Sequence, residues 1–490
     1  MKSFAITSII AMSLLMIVGC KKQDQENQQP AQDVKALQAV SDPQSNTTDP
    51  NTDAVEPNTN DSAAAPNVAA VPEEPIEYVD IADWCRPGMT AQISAQEWAK
   101  ANNAFGLKFL AKTEGNTVFS PYSIERALGM TLDGACGTTA SEMLSALELP
   151  NAMRLSISGR DVDDAMKSVN EDTMLEIENT LWPDVSMTLP KDYLARISAG
   201  YRNKSITLDY GADPEKARVT INDDVAKTTH DRIKDLIPLG VISSDTRLVL
   251  TNAVYFKSKW LHQFKDEDTK IDPFNNSDKE IKTKIMHAVE GNKPVCIADD
   301  YAIYDLEFDS SKNGNKGTYV MRIVLPTIND EHPMDKRMEQ LEKVEKQLSA
   351  DFSSGCKNEY FDEVYVSMPK FKLAPESKSI RGILMSMGMN KAFDGEEAEF
   401  NAMPNTTPQP SDPSKYLYIS DVFHKAFIEI DEKGGEAAAA TAVVMVTECE
   451  GCGGEGEPRN YYFTVDHPFL YMIIEKSTGA AIFMGRVTDL

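Results

Sequence analysis

Histidine is scarce in this 490-residue chain, basic residues are outnumbered, and the one strongly apolar run at the N-terminus is short. The six histidines are scattered, and no GxSxG, HExxH or lysine-bearing phosphate loop occurs, so no familiar catalytic constellation is present and the chain does not read as an enzyme. Lys and Arg number 49 against 76 Asp and Glu, a formal −27. A field of that sign repels phosphate and sulfate backbones, which argues against nucleic acid and heparin-like partners. Beyond Phe4–Val18 no segment reads as transmembrane, and no metal or other cofactor is expected. What remains is ordinary for a chain with a substantial core: 41% hydrophobic and 26% charged residues. Length alone gives a soft expectation of about three domains, at about 150 residues each.

The N-terminus carries the clearest local signal. Met1-Lys2 opens a charged start, Phe4–Val18 has the length of a signal-peptide core, and Ile17-Val18-Gly19-Cys20 resembles the lipobox of bacterial lipoproteins. Residues 1–19 are therefore expected to be a lipoprotein signal peptide, with Cys20 the lipidated first residue of the mature chain. Residues 20–92 are assigned to that cysteine and a tether, because from Lys21 to about Glu77 the Gln-, Asn-, Asp-, Pro-, Ala- and Thr-rich stretch holds too little apolar surface to offset its ordering entropy. The expectation is an exported lipoprotein of the cell envelope or surface, on the outer membrane if the cell is Gram-negative, since Lys21 rather than Asp follows the cysteine.

Ordered structure is expected from about Ile93. Ser94-Ala95-Gln96-Glu97 matches a capping box, followed by a stripe of Trp98, Ala101, Phe105 and Phe109. Ser120-Pro121 predicts a second helix start with Ile124, Leu128 and Leu132 buried, and Thr139-Ala140-Ser141-Glu142 repeats the capping pattern. Strands dominate later: Arg247–Phe256 and Tyr319–Leu325 are nearly continuous apolar runs, Val364, Val366 and Met368 alternate with polar residues, and Phe469–Ile474 with Ala481–Val487 reads as a hairpin. Helices first and strands later indicate an α+β fold.

Four separated segments resemble the serpin family. They are Asn116–Gly137, Leu248–Trp260 (LVLTNAVYFKSKW), Asp431–Val446 (DEKGGEAAAATAVVMV) and Phe463–Ile473 (FTVDHPFLYMI). Their order fits one continuous domain over 93–490, with a reactive-centre loop at about 432–460. The resemblance implies three β-sheets wrapped by about nine helices, and a monomeric, irreversible suicide inhibitor of serine endopeptidases, with cysteine endopeptidases the alternative target class. In that mechanism a protease cuts an exposed loop, and the loop's N-terminal part inserts into the main sheet as a new strand. The segment's ending, Thr488-Asp489-Leu490, and the long stretch from Cys449 to His467 depart from the family's usual pattern.

The loop residues suit that mechanism. The hinge comprises Glu432, Gly434, Gly435, Glu436, Ala437, Ala438, Ala439, Ala440 and Thr441; alternation puts Gly435, Ala437, Ala439, Thr441, Val443 and Met445 on one uncharged face. An alanine run also favours helix, so the exposed segment has two conformational options. A non-inhibitory serpin acting as a binding or chaperone-like module is the alternative, and it would tolerate large or charged hinge residues. The family's spacing from Glu432 places the cut between Glu448 and Cys449, which implies a Glu-preferring endopeptidase as partner; a register slip by one would make Thr447 or Cys449 the reading residue, and Met445 or Val446 would suit elastase- or subtilisin-like enzymes. The resemblance also assigns Ser120, Ser123, Asn252 and His424 to a polar cluster that holds the main sheet closed. Cys449 and Cys452 form a CxxC that is either a local disulfide or a pair of free thiols, and it lacks the further ligands a metal would need. The pairing of Cys85, Cys136, Cys296 and Cys356 does not follow from sequence. Gly451–Gly456 matches GxGxxG, but Glu457-Pro458-Arg459 follows instead of a helix, so it reads as a loop.

Overall fold

The computed structural model describes residues 10–19 (as backbone), 78–167, 173–310, 318–352, 355–403, 417–434 and 458–490. The helical first third is α1 (Ala95–Leu110), α2 (Pro121–Leu132), α3 (Gly137–Ala146) and α4 (Leu155–Met166), with β2 (Thr117–Phe119) between α1 and α2. Ser94 and Glu97 close the expected capping box: the Glu97 amide donates to Ser94 Oγ at 3.1 Å and the Ser94 amide to Glu97 Oε2 at 2.8 Å. Trp98, Phe105 and Phe109 are buried, each contributing roughly 1.5–3 kcal/mol. Ser120 caps α2 as expected, but α2 is buried on every side rather than along one stripe. Its Arg126 is sustained by Asp163 at 3.1 Å and by the Gly200 carbonyl at 2.6 Å, which a fully buried guanidinium requires.

The third expected cap is not used. The helix α3 begins two residues before Thr139, and its N-terminus is capped from outside: Glu399 Oε2 accepts from the Thr138 amide at 2.7 Å, while the Glu399 amide donates to Thr139 Oγ1 at 3.0 Å. Glu142 accepts instead from the amides of Asn390 and Lys391. A second correction concerns the tether expected over 20–92, because residues 78–92 are packed on the domain. Cys85 is bonded to Cys136, Arg86 is buried with its Nη2 donating to the Leu132 carbonyl at 2.8 Å, and Thr90 bridges to Ala152. A cation at the last carbonyls of α2 also complements the helix dipole.

The remaining elements are β3 (Met174–Pro183), α5 (Lys191–Tyr201), β4 (Lys204–Ser205), α6 (Pro214–Thr228), β5 (Thr246–Lys257), β6 (Lys270–Asn275), β7 (Glu280–Ile297), β8 (Tyr301–Glu307), β9 (Tyr319–Pro326), α7 (Arg337–Gln347), β10 (Lys357–Pro369), β11 (Phe371–Leu373), β12 (Lys378–Ser379), α8 (Arg381–Ser386), β13 (Tyr418–Ile430), β14 (Asn460–Thr464), β15 (Phe469–Glu475) and β16 (Ala481–Val487). Together with β1 (Ile10–Gly19) they hydrogen-bond into a seven-stranded main sheet, β11-β13-β1-β5-β3-β4 with β12 on β13, and a nine-stranded network. That network has two lobes, β6/β7/β10/β14 and β8/β9/β15/β16/β2, whose strands pair, among the described residues, only where Cys296 and Ile297 of β7 meet Ile303 and Ala302 of β8. The result is three sheets with eight α-helices among the described residues, the α+β architecture expected.

The strands β5, β9, β10, β15 and β16 coincide with the apolar runs read from sequence. Where β16 meets β2, Gly485 admits the close approach: a Cβ there would lie 2.0 Å from the Thr117 carbonyl oxygen. The second disulfide, Cys296–Cys356, ties the outer end of β7 to the start of β10. Among the described residues no helix is long and apolar enough to cross a membrane, and no cluster of three metal-ligating side chains occurs.

Candidate functional site

The strand β13 delivers the chain to the base of the loop. Beyond Ile430, residues Asp431–Gly434 fold back against the segment after β5. The Trp260 amide donates to the Lys433 carbonyl at 3.1 Å, the Phe264 amide to the Glu432 carbonyl at 2.9 Å, and the Trp260 indole to the Asp431 carbonyl at 2.9 Å. Trp260 is itself held by stacking on Phe308, with ring centroids 4.4 Å apart. The Glu432 carboxylate accepts from Lys370 at 2.5 Å and Thr269 at 2.8 Å. Burial pushes its pKa up, but those bonds outweigh burial and hold the carboxyl below its usual range. Gly434 sits at φ +89°, and a Cβ there would lie 2.4 Å from the Trp260 amide nitrogen. Only glycine fits this turn, so the small residue read as part of a mobile hinge is also a fixed point where the loop leaves the body.

The main sheet contains a one-strand slot between β5 and β13. The apolar segment expected to be a leader occupies it: β1 pairs antiparallel with β13 from Ala11↔Phe427 to Gly19↔Tyr418, and antiparallel with β5 from Ile10↔Phe256 to Gly19↔Thr246. Its neighbours β5 and β13 therefore run parallel to each other. Any chain that leaves the end of β13 and doubles back would enter the slot with the polarity of β1.

Three members of the expected polar cluster meet. Ser120 Oγ accepts from the Ser123 amide at 3.1 Å, Ser123 Oγ donates to Asn252 Oδ1, and Asn252 Nδ2 donates to Asn179 Oδ1 at 2.6 Å. Asn179 in turn donates to the Tyr201 carbonyl at 2.8 Å. Asn179 was missed at the sequence level; an asparagine inside the otherwise strand-like LEIENTLW was the available signal. His424 is not joined to this chain of bonds. Neither ring nitrogen has a hydrogen-bond partner among the described residues, and burial alone drags its pKa down to about 3. The cause is geometric, because Leu14 of β1 pairs with Asn252 on one side and His424 on the other. One strand's width separates the two residues, and drawing β5 and β13 together would bring them face to face.

Of the other expected site residues, Glu432 and Gly434 are placed as above. Cys20, Gly435, Glu436, Ala437, Ala438, Ala439, Ala440, Thr441, Thr447, Glu448, Cys449 and Cys452 lie outside the described residues.

Comparison with known proteins agrees with this geometry. A sequence profile described as "Serpin (serine protease inhibitor)" matches residues 100–490. A serpin-like protein of Thermococcus kodakarensis is 35% identical over 385 residues, covering 78% of this chain and 82% of its own. Mouse antithrombin-III is 32% identical over 416 residues, covering 80% and 82%. Mouse leukocyte elastase inhibitor A is 31% identical over 398 residues, covering 80% and 99%. Among solved structures, the Arabidopsis serpin AtSerpin1 in its native stressed conformation superposes with a TM-score of 0.65 at 24% identity, covering 81% of this chain and 99% of its own. The chain belongs to the serpin family.

Proposed function

We propose that this serpin inhibits an endopeptidase by the single-use route: cleavage of its own loop, then insertion of the severed arm between β5 and β13. The observation that carries this reading is the slot itself. It accommodates a ten-residue strand laddered on both sides, with the polarity of a chain returning from the end of β13. The arm from Gly435 to Val446 is of similar length, carries Glu436 as its sole charge, and ends in β-branched residues. Two relatives bear inhibitor names of the same kind, antithrombin and leukocyte elastase inhibitor.

The chemistry runs through the protease. Its catalytic hydroxyl attacks the Glu448 carbonyl, the amide bond to Cys449 breaks, and the proton goes to the departing amine, leaving an ester between protease and arm. Insertion then forms ten or so ladder hydrogen bonds on each face at about 0.5–1.5 kcal/mol net apiece, and it drags the attached protease across the molecule. A displacement of about 1 Å in a catalytic centre slows reaction roughly a hundredfold, so the ester outlasts hydrolysis. A glutamate at the cut selects proteases with a basic primary pocket.

Removal of residues 1–19 before Cys20 fits the same scheme. With residues 1–19 present the slot is filled by β1, so cleavage before Cys20 would vacate it, and lipidation of Cys20 would then hold the mature inhibitor at a membrane surface. The test is incubation of the chain from Cys20 onward with a glutamyl endopeptidase and a wider protease panel. An SDS-resistant complex and a nicked form melting well above the intact one are expected. A nicked form that melts no higher and leaves no covalent product would refute trapping in favour of a binding role.

A further inference from the structure

An exposed aromatic band lies on the lobe that receives the chain after the loop. The edge strand β14 begins at Asn460 and pairs parallel with β10, which pairs antiparallel with β7. Across these three strands Tyr462, Tyr365 and Val289 are register partners, so they share one face. Tyr462 is 68% exposed and Val289 55% exposed, which sets both among the exposed large apolar side chains of the described residues. The Tyr365 and Tyr462 rings stack at 4.8 Å and 19°. The next row along the same face is polar: His287 bonds Ser367 at 2.9 Å and Asp272 at 3.0 Å. On the other side Glu363 accepts from the Tyr365 hydroxyl at 2.6 Å. An aromatic centre between polar rows is the anatomy of a binding hot spot and its rim. The platform is stiff, because β7 and β10 are paired from Lys357↔Ile297 to Pro369↔Ile285 and are joined covalently at the outer end by Cys296–Cys356. A surface held in shape beforehand binds with less ordering cost.

We infer that the Val289–Tyr365–Tyr462 band is an accessory docking surface for the target endopeptidase, engaged while the protease holds the loop. This rests on the proposed inhibitory function. Two observations favour the protease as occupant. Asn460 lies twelve positions after Glu448, a span of at most about 40 Å fully extended. A protease of about 230 residues has a radius of gyration near 17 Å, so one seated on the cut bond lies within reach of β14. The charge also matches: Glu363 and Glu359 lie two and six residues before Tyr365 on the same face of β10, and Arg459 is committed to Glu359 at 2.8 Å. An acidic rim suits the basic surface around a pocket built for glutamate.

The experiment measures binding of a glutamyl endopeptidase whose catalytic serine is replaced by alanine, so that docking is read without covalent capture. The probes are the chain from Cys20 onward, its Tyr462→Ser/Val289→Thr variant, and a free peptide of residues 440–458. The expected result is a Kd about tenfold weaker for the variant than for the wild type, with the wild type tighter than the peptide and the melting temperature unchanged. Equal Kd values for variant and wild type overturn the inference, as does a wild-type chain that binds no tighter than the peptide. A sedimentation coefficient that falls on substitution would overturn it too, by showing that the band pairs two copies of this chain. Failure of the active protease to form a covalent complex, with the Kd difference intact, sinks the trapping mechanism and leaves the docking surface standing.

Discussion

Acid should destabilise this protein through His424 in a way that substitution can isolate. The imidazole is buried in β13 without a partner among the described residues, and burial holds its pKa at about 3 against about 6.5 in an unfolded chain. Because the folded value is the lower one, the unfolded state takes up the proton first. The stability this group carries is therefore complete above about pH 6.5 and is lost as the pH falls towards 3. Between pH 7.5 and 5.0 the working interval is about 1.5 pKa units, and at 1.36 kcal/mol per unit the loss is about 2 kcal/mol. Carboxylates titrate over the same range, so the quantity to measure is a difference of differences. Urea unfolding of the full chain at both pH values, for wild type and His424→Leu, gives it. The wild type should lose about 2 kcal/mol more than the variant. Losses that agree within about 0.5 kcal/mol would refute the burial argument, and would mean that the ring finds a partner or water.

Two further perturbations test the hinge and the docked N-terminal segment. Gly434→Ala forces a Cβ against the Trp260 amide at a φ of +89°, so it should cost about 1–3 kcal/mol in unfolding free energy and speed proteolysis near residue 434; an unchanged melt and cleavage rate would contradict the fixed-hinge geometry. Replacing both Cys85 and Cys136 with serine removes a bond of sequence separation 51, for which loop-closure entropy gives about 4 kcal/mol; a guanidinium unfolding loss under about 1 kcal/mol would show that the 78–92 segment is held by packing alone.

Local signals were legible and long-range ones were not. The caps at Ser94 and Ser120 were readable because donor and acceptor lie within three residues. Thr139–Glu142 carries the same pattern, yet α3 takes its cap from Glu399, some 260 positions away, and no window of sequence contains that competition. The strand β5 was readable because burial on both faces leaves a continuous apolar run. The α2 helix shows the limit of stripe reasoning: the pattern Ile124, Leu128 and Leu132 points to one buried face, and only the fold supplies the Asp163 and Gly200 partners that bury Arg126 as well. Disulfide pairing was closed to sequence for the same reason, and the docked segment at 78–92 was taken for tether because it carries no helical or strand period, although Ile81, Cys85 and Arg86 are buried in it. At the candidate site, motif resemblance found Ser120, Ser123, Asn252 and His424, but the distance between the last two depends on what lies between their strands.

The Cys85–Cys136 bond also sets a mechanical load path. It joins the segment 78–92 to the turn just past the C-terminal end of α2, while the N-terminal end of that helix carries Ser120 and Ser123 against Asn252. A twelve-residue helix is a rod about 18 Å long. Tension applied upstream would thus travel along one stiff lever to the side chains that meet the main sheet, so a pulled molecule and a slack one need not open with equal ease.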